Sequence, residues 1–163
     1  MTAPTPHKGE VIPIASDHAG FEMKERLRVA LADMGFEVQD IGSHSAASTD
    51  YADYAHPLAQ AVSEGTARRG VLLCGTGLGM SYVANRYPNV RAAVAWTPEI
   101  AALARKHNDA NVLVVPARFV SEEDAIAILT TWLGTDFEGG RHQRRIEKIE
   151  KDDDAVDLPG DLA

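Results

Sequence analysis

The stretch LLCGTGLGMS, residues 72–81, contains the only cysteine of the chain and places it directly before three closely spaced glycines. Val71, Leu72 and Leu73 precede Cys74 as an apolar run, which predicts a buried β-strand that ends at the cysteine. Because glycines allow positive φ, the segment predicts a tight turn from that strand into a helix. A lone cysteine after such a run is often a small buried hydrophobic residue, so a functional role for this thiol needs support from the rest of the sequence.

Apolar runs and amphipathic segments alternate on both sides of this turn. Five apolar runs predict strands: VIPIA (11–15), FEVQDI (36–41), GVLLC (70–74), VRAAVAW (90–96) and NVLVVP (111–116). Six segments predict helices: FEMKERLRVALADM (21–34), YAHPLAQAVSEGTA (54–67), SYVANRY (81–87), PEIAALARKH (98–107), SEEDAIAILTTWL (121–133), with Ser121 as its N-cap, and RHQRRIEKIEK (141–151). We therefore expect an α/β three-layer sandwich with a five-stranded, mostly parallel sheet and a C-terminal helix.

Composition and charge limit the domain organisation and the partners. The 163 residues predict one domain at 11–150, an N-terminal extension at 1–10 and an acidic tail at 151–163. Residues 147–163 carry seven acidic residues and two lysines, which is −5 of the net charge of −8 and leaves −3 for the rest. This distribution does not indicate nucleic-acid binding. No apolar run reaches the roughly 20 residues of a membrane span. Residues 1–10 lack the apolar segment of a signal peptide, and a single cysteine suits a reducing compartment, so we expect a cytoplasmic protein.

The glycine turn predicts a site for a negatively charged group, since backbone N–H groups meet at the start of the following helix. The same field favours a thiolate at Cys74. Two phosphate-binding motifs do not fit the turn: the dinucleotide fingerprint needs glycine where the chain has Met80, and the nucleotide-phosphate loop needs a G-K-[ST] end that is absent. The six histidines show no ligand spacing, so we expect neither a metal ion nor another cofactor.

Polar side chains follow two of the predicted strands. Asp17 and His18 come directly after the first strand, and Cys74 ends the third. Because the carboxyl ends of parallel strands meet on one side of a sheet, we expect these three side chains to converge there. Capping of the first helix is the alternative role for Asp17 and His18. A base beside N–H donors suits a reaction that passes through an oxyanion.

Four longer segments are informative together: SDHAGFEMK (16–24), CGTGLGMSYVANR (74–86), ARKHNDANVL (104–113) and FEGGRHQRRIEKI (137–149). They resemble the ribose-5-phosphate isomerase B type, the RpiB/LacAB family of sugar-phosphate isomerases, from about residue 12 to about residue 150. The resemblance implies a Rossmann-like homodimer, with a tetramer as the alternative, and active sites near the subunit interface. It also implies metal-independent interconversion of an aldose phosphate and a ketose phosphate, with ribose 5-phosphate as the expected substrate.

The resemblance further implies roles for individual residues. Cys74 is expected to be the base that moves a proton through an enediolate. A related branch has a glutamate directly after the last loop glycine, where this chain has Met80, so the chain is similar to the cysteine branch. His107 is expected to be the acid that opens the sugar ring, and Thr76 completes the predicted catalytic set. The expected substrate-binding residues are Asp17, His18, Gly75, Thr76, Gly77, Leu78, Gly79, Asn108, Arg118, Arg141 and Arg145.

Arg141 and Arg145 lie four residues apart, so one face of the predicted C-terminal helix can present two cations to one phosphate. A solvated basic face is the alternative, and the resemblance of GGRHQRR to the family favours the phosphate. Arg141 and Arg145 contribute either to the active site of their own chain or to that of the partner subunit. Ala52 and Pro116 depart from the residues usual in the family, which leaves allose, galactose and tetrose phosphates open as substrates.

Two other classes of function remain open at this point. Cys74 with His107 also suits a cysteine-nucleophile hydrolase or acyl transferase, which forms a covalent acyl intermediate. A non-catalytic module that binds phosphosugars would keep the glycine turn and the arginines without turnover.

Overall fold

The computed structural model describes residues 9–150 of the chain. Within them, strands and α-helices alternate as the sequence predicts, and a short 3-10 turn covers His18–Gly20. The strands are β1 (Val11–Ser16), β2 (Glu37–Gly42), β3 (Gly70–Cys74), β4 (Ala92–Val94) and β5 (Val112–Pro116). The α-helices are α1 (Phe21–Asp33), α2 (Tyr51–Ser63), α3 (Leu78–Ala84), α4 (Pro98–Asn108), α5 (Glu122–Leu133) and α6 (Arg141–Glu147). The predicted acidic tail at 151–163 and residues 1–8 of the predicted extension lie outside the described residues. None of the helices between residues 9 and 150 combines the length and the apolarity needed to cross a bilayer.

The bounds of one strand and one helix differ from the sequence prediction, and one predicted N-cap is confirmed. The strand predicted at 90–96 shrinks to Ala92–Val94, because β4 is an edge strand that pairs with β5 alone over these three residues. The helix predicted from Tyr54 begins at Tyr51, because Asp50 is the last residue before it with an extended backbone. Ser121 is confirmed as the N-cap of α5, where its hydroxyl accepts the N–H of Asp124 at 3.1 Å.

The five strands form one sheet in the order β2-β1-β3-β5-β4, and every pair among these strands is parallel. Their carboxyl ends therefore meet at one end of the sheet, the carboxyl end, and their amino ends meet at the opposite amino end. From β1 the chain steps outward to β2 and then crosses back to β3 on the other side of β1. Open α/β sheets bind ligands at the carboxyl end, beside such a reversal of strand order.

Side chains of β3 alternate between the two faces of the sheet, and helices cover both. Val71 and Leu73 pack into a buried cluster with residues of α1 and α5. Leu72 and Cys74 point to the other face and pack with residues of α2 and α3. Cys74 therefore belongs to the core of the second face and also ends its strand at the carboxyl end of the sheet.

Lys24 is a buried charge between α1 and β2. Its side chain is 0% exposed, and Nζ donates to Oδ1 of Asp40 at 2.7 Å and to Oε1 of Glu25 at 3.0 Å. Burial alone would raise the pKa of Asp40, but the hydrogen bond and the charge of Lys24 outweigh burial and hold that pKa below its ordinary value. Asp40 Oδ1 also accepts the N–H of Gly42 at 3.0 Å, so the pair fixes the carboxyl end of β2.

We expect Asp40→Asn to lower the free energy of unfolding by about 3 kcal/mol at neutral pH, because it leaves the buried Lys24 ammonium with only the more exposed Glu25 carboxylate as counter-charge. Since the folded-state pKa of Asp40 is depressed, its contribution is present above the unfolded-state pKa and is lost as the pH falls through the folded-state value. Urea unfolding at neutral pH and at about pH 3 should therefore show a smaller difference between wild type and variant in acid. Glu25→Gln is the matched control: this side chain is 40% exposed, and its replacement should cost less than about 1 kcal/mol. Equal losses in the two variants at neutral pH would contradict the assignment.

Candidate active site

Cys74 lies at the carboxyl end of β3, in register with Pro116 of β5. It is 4% exposed, and its carbonyl oxygen accepts the N–H of Ala117 at 2.9 Å, which holds the end of the strand in place. The sequence alternatives for this residue were a core hydrophobe and a reactive thiol, and its position serves both. Its side chain packs in the core of the α2/α3 face, directly before the glycine turn.

The three glycines of the turn at 75–79 are favoured for different reasons. Gly77 has a φ of +78°, in the left-handed region, and it directly precedes α3. A Cβ at Gly75 would lie 3.3 Å from Cδ of Arg118, and a Cβ at Gly79 would lie 2.7 Å from the ring of Tyr51. Any larger residue would therefore displace a side chain or strain the backbone.

The turn holds backbone donors that the protein itself does not use. Among residues 9–150, the N–H groups of Gly75, Thr76 and Gly77 have no hydrogen-bond acceptor. The N–H of Leu78 is engaged, because it donates to Oγ1 of Thr76 at 3.2 Å. Thr76 and Leu78 have exposed side chains beside these donors. An oxyanion next to Cys74 would find preorganised N–H groups here, as the sequence predicts.

Asp17 and His18 follow β1 at the same end of the sheet. Ser16 pairs with Leu73, and the N–H of Asp17 donates to the carbonyl oxygen of Leu73 at 3.3 Å. One further step in this parallel register places Asp17 beside Cys74 on the same face. Oδ1 of Asp17 accepts the N–H groups of Ala19 and Gly20 at 3.0 and 3.1 Å, so Asp17 caps the short 3-10 turn. The N-cap of α1, the helix considered from the sequence, is Gly20. Oδ2 of Asp17 accepts no hydrogen bond from the described residues, which leaves it for a ligand.

His18 is held by the loop that precedes α2. The backbone N–H of His18 donates to Oγ1 of Thr49 at 3.0 Å. The ring Nδ1 lies 3.2 Å from both the backbone N and the carbonyl oxygen of Thr49. The ring is therefore fixed through Nδ1, and Nε2 is left for a ligand.

Arg118 completes the group at this end of the sheet. Its backbone N–H donates to the carbonyl oxygen of Gly75 at 3.0 Å, and its exposed side chain lies along the same glycine. The residues gathered here form the carboxyl-end half-site, defined as Asp17, His18, Cys74, Gly75, Thr76, Gly77, Leu78, Gly79 and Arg118.

His107 and Asn108 lie at the opposite end of the sheet. They are the last residues of α4, which leads into the amino end of β5, and the carbonyl oxygen of Asn111 accepts the N–H of Gly70 at 3.0 Å. Gly70 and Cys74 are the two ends of β3, so roughly 13 Å of strand separates these positions. The structure therefore does not bring His107 and Cys74 together within one chain.

Arg141 and Arg145 accompany His107 at the amino end. Both lie in α6, with exposed side chains, and neither pairs with a carboxylate among the described residues. A cavity of about 280 Å³ is lined by His107, Asn108, His142, Arg145, Ile146 and Ile149. His107, Asn108, Arg141 and Arg145 form the amino-end half-site, which carries two unpaired cations suited to a phosphate.

Sequence spacing did not reveal a cluster next to this half-site. The rings of His107 and His142 stack with their centroids 4.4 Å apart, and Oε2 of Glu138 lies 3.6 Å from Nε2 of His142. The two histidines are 35 positions apart in the chain, and only the packing of α6 against α4 brings them together. The sequence shows no ligand spacing among the six histidines, yet one potential ligand atom from each of these three side chains lies within 4.8 Å of the others.

Several large apolar side chains are exposed near the carboxyl-end half-site and along the β4 side of the sheet. Leu78 and Tyr82 of α3 and Trp96 after β4 are 49%, 65% and 56% exposed, and Phe119 after β5 is 73% exposed. β4 is an edge strand whose other side pairs with no strand among the described residues. Exposed apolar surface of this kind is typical of a protein–protein interface.

Comparisons with known proteins agree with the fold. Residues 12–149 match the model of the Ribose/Galactose Isomerase family. Ribose-5-phosphate isomerase B of Escherichia coli is 45% identical over 138 residues, which are 85% of this chain and 93% of that protein.

Solved structures are similar over the same length. A ribose 5-phosphate isomerase from Thermotoga maritima is 51% identical with a TM-score of 0.84, and the match covers 87% of this chain and 98% of that one. Ribose-5-phosphate isomerase B from Mycoplasma genitalium, solved with bound ribulose-5-phosphate, is 42% identical with a TM-score of 0.84. That match covers 88% of this chain and 95% of the other. The α/β architecture with a five-stranded parallel sheet is thus shared with these proteins.

Proposed function

This chain belongs to the ribose/galactose isomerase family and is an aldose–ketose isomerase, and on that basis we propose that it interconverts ribose 5-phosphate and ribulose 5-phosphate through an enediolate. The observation that carries the mechanism is the position of Cys74 beside three unused N–H donors. The names of the relatives support a pentose phosphate as substrate, and they give no support to the hydrolase or to the non-catalytic module.

In the forward direction, the Cys74 thiolate removes the proton from C2 of the open-chain aldose. The electron pair forms the C1–C2 double bond, and negative charge develops on the carbonyl oxygen at C1. The N–H groups of Gly75, Thr76 and Gly77 stabilise that charge. The thiol then returns a proton to C1, while the proton of the O2 hydroxyl moves to O1, and the ketose results. Oδ2 of Asp17 and Nε2 of His18 bind sugar hydroxyl groups beside the reacting carbons.

We propose that the complete site forms between two copies of the chain. Ring opening needs His107 close to the sugar that Cys74 deprotonates, yet about 13 Å of strand separates the two ends of β3 in one subunit. The partner subunit's His107, Asn108, Arg141 and Arg145 would complete the site that contains Cys74. The exposed side chains of Leu78, Tyr82 and Trp96 support a homodimer through this side of the molecule.

A cytoplasmic location and a role in the pentose phosphate pathway belong to the same proposal. The single cysteine suits a reducing compartment. The relatives described above are ribose-5-phosphate isomerases, whose substrate is a pentose phosphate.

A panel of phosphorylated aldoses tests the function directly. Ribose, allose and erythrose phosphates and galactose 6-phosphate are incubated with the enzyme, with and without a chelator, and the ketose product is measured. We expect the highest kcat/KM with ribose 5-phosphate and no loss with chelator. A preference for a hexose or tetrose phosphate would reject the pentose assignment, and loss of activity with chelator would reject the metal-free mechanism.

We expect Arg141→Ala and Arg145→Ala to weaken binding of ribose 5-phosphate by roughly tenfold or more each, because a charge-assisted hydrogen bond contributes about 1.5 to 3 kcal/mol. Lysine at either position should restore part of the affinity, since it keeps the charge and loses the planar fork. Titration calorimetry with ribose 5-phosphate and with ribose measures the effect of the phosphate. Arg144→Ala is the matched control, since Arg144 is an exposed arginine of the same helix. Equal weakening by all three alanine variants would show that binding depends on the total positive charge of the helix, and it would reject a specific phosphate contact by Arg141 and Arg145.

A further inference from the structure

The cluster of His107, Glu138 and His142 is an arrangement that the proposed reaction does not use as a unit. Each side chain offers one ligand atom, and these atoms all lie within 4.8 Å of one another. Two imidazole nitrogens and one carboxylate oxygen are a donor set that binds zinc and similar first-row dications, with the fourth position left open.

The backbone around the cluster is fixed, while two of the three side chains can adjust. The N–H of Glu138 donates to the carbonyl oxygen of Lys106 at 3.1 Å, which ties this segment to the last turn of α4. His142 is buried, so its ring provides a fixed ligand. His107 is half-buried and Glu138 is exposed. Ligand atoms around a tetrahedral zinc ion lie about 3.4 Å apart, and an imidazole nitrogen binds a metal ion in the plane of its ring. The His107 ring stacks on the His142 ring, so His107 must turn out of this stack, and Glu138 must move with it, for all three ligand atoms to reach one ion.

Charged side chains flank the cluster. Arg141 and Arg145 oppose a dication at this place, and the Glu138 carboxylate offsets part of that charge. We therefore expect binding weaker than in a closed structural zinc site.

We propose that His107, Glu138 and His142 bind Zn²⁺, and that the bound ion inhibits the isomerase by occupying the nitrogen with which His107 opens the sugar ring. The inhibition rests on the proposed function of His107, whereas the binding rests on the geometry of the cluster alone. Zinc would then act as an inhibitor of an enzyme whose proton transfer needs no metal. The open-chain substrate should be less affected than the cyclic one, because it has no ring to open.

Binding is tested with Co²⁺ as a spectroscopic substitute for Zn²⁺, in the Cys74→Ser background so that the thiol cannot act as a ligand. We expect the intense visible absorption of tetrahedral cobalt, and competition by Zn²⁺ should remove it. Glu138→Gln and His142→Asn should each weaken cobalt binding by at least about tenfold, since even outer-shell partners contribute that much. His44→Asn is the matched control, because that ring is 72% exposed and lies outside the cluster. Absence of cobalt binding, or equal weakening by His44→Asn, would overturn the site.

Inhibition is tested separately, on the enzyme that retains Cys74. Zinc should inhibit conversion of cyclic ribose 5-phosphate, and Glu138→Gln should need at least about tenfold more zinc for the same effect, with its zinc-free activity unchanged. Cobalt binding at the cluster without any zinc inhibition would overturn the link to ring opening. A failure of the proposed function would be recognised differently, as absence of isomerase activity before any zinc is added.

Discussion

Cys74→Ser is expected to lose turnover by a factor on the order of 10² to 10⁴, which is the usual contribution of a positioned general base. A serine hydroxyl is slightly smaller than a thiol, and it is a much weaker acid, so almost none of it is present as the anion at neutral pH. The substitution therefore removes the base and leaves the shape of the site nearly unchanged. Steady-state kinetics with ribose 5-phosphate measures the loss in kcat.

The buried position of Cys74 requires a control for folding. Cys74 packs among residues of α2 and α3, so a hydroxyl there costs about 1 to 3 kcal/mol if it finds no partner. Thermal unfolding should show that the variant remains folded at the assay temperature. Calorimetry should show that it still binds ribose 5-phosphate with an affinity close to that of the wild type. A folded variant that keeps more than about a tenth of the wild-type kcat would remove Cys74 from the role of base.

Mixing two impaired variants is expected to restore activity toward cyclic ribose 5-phosphate, and this is the second large effect. In a heterodimer of a Cys74→Ser subunit with a His107→Ala subunit, a site shared between subunits is assembled in two ways. One site receives both altered residues, and the other receives an intact Cys74 and an intact His107. We therefore expect about half of the wild-type turnover per dimer, since a two-fold dimer has two equivalent sites.

Heterodimers purified with two different affinity tags allow this measurement. The two parent homodimers, refolded and purified in the same way, give the background. If each subunit used its own Cys74 with its own His107, both sites of the heterodimer would carry one altered residue and the activity would stay at that background. Background activity in verified heterodimers would therefore reject the shared site and leave the assignment of Cys74 intact.

The sequence predicted correctly that Asp17 and Cys74 lie at one end of the sheet, because both residues directly follow strands. Asp17 and Cys74 come after the apolar runs of β1 and β3, and parallel strands bring such residues to one end of the sheet. His107 precedes β5, so the same parallel topology places it near the amino end of the sheet, opposite Cys74. The separation of His107 from Cys74 could thus have been predicted from strand direction alone.

The cluster around His142 could not have been predicted from the sequence in this way. His107 and His142 meet because α6 packs beside the last turn of α4, and no periodicity in the sequence encodes that contact. The buried pair of Lys24 and Asp40 was hidden for a similar reason, since an amphipathic helix pattern normally places a lysine in solvent. In both cases the decisive information is the packing of two elements that are distant in the chain.

In the dimer that we propose, the placement of the two half-sites at opposite ends of the sheet would also link catalysis to subunit concentration. A sugar phosphate that touches both subunits binds the dimer and not the separate chains, so by mass action it must favour association. The same linkage works in reverse, because a change that loosens the dimer raises the apparent Kd of the substrate even when it alters no residue that contacts the sugar. Substitutions at Tyr82 or Trp96 would then weaken substrate affinity at low enzyme concentration and have no effect at high concentration.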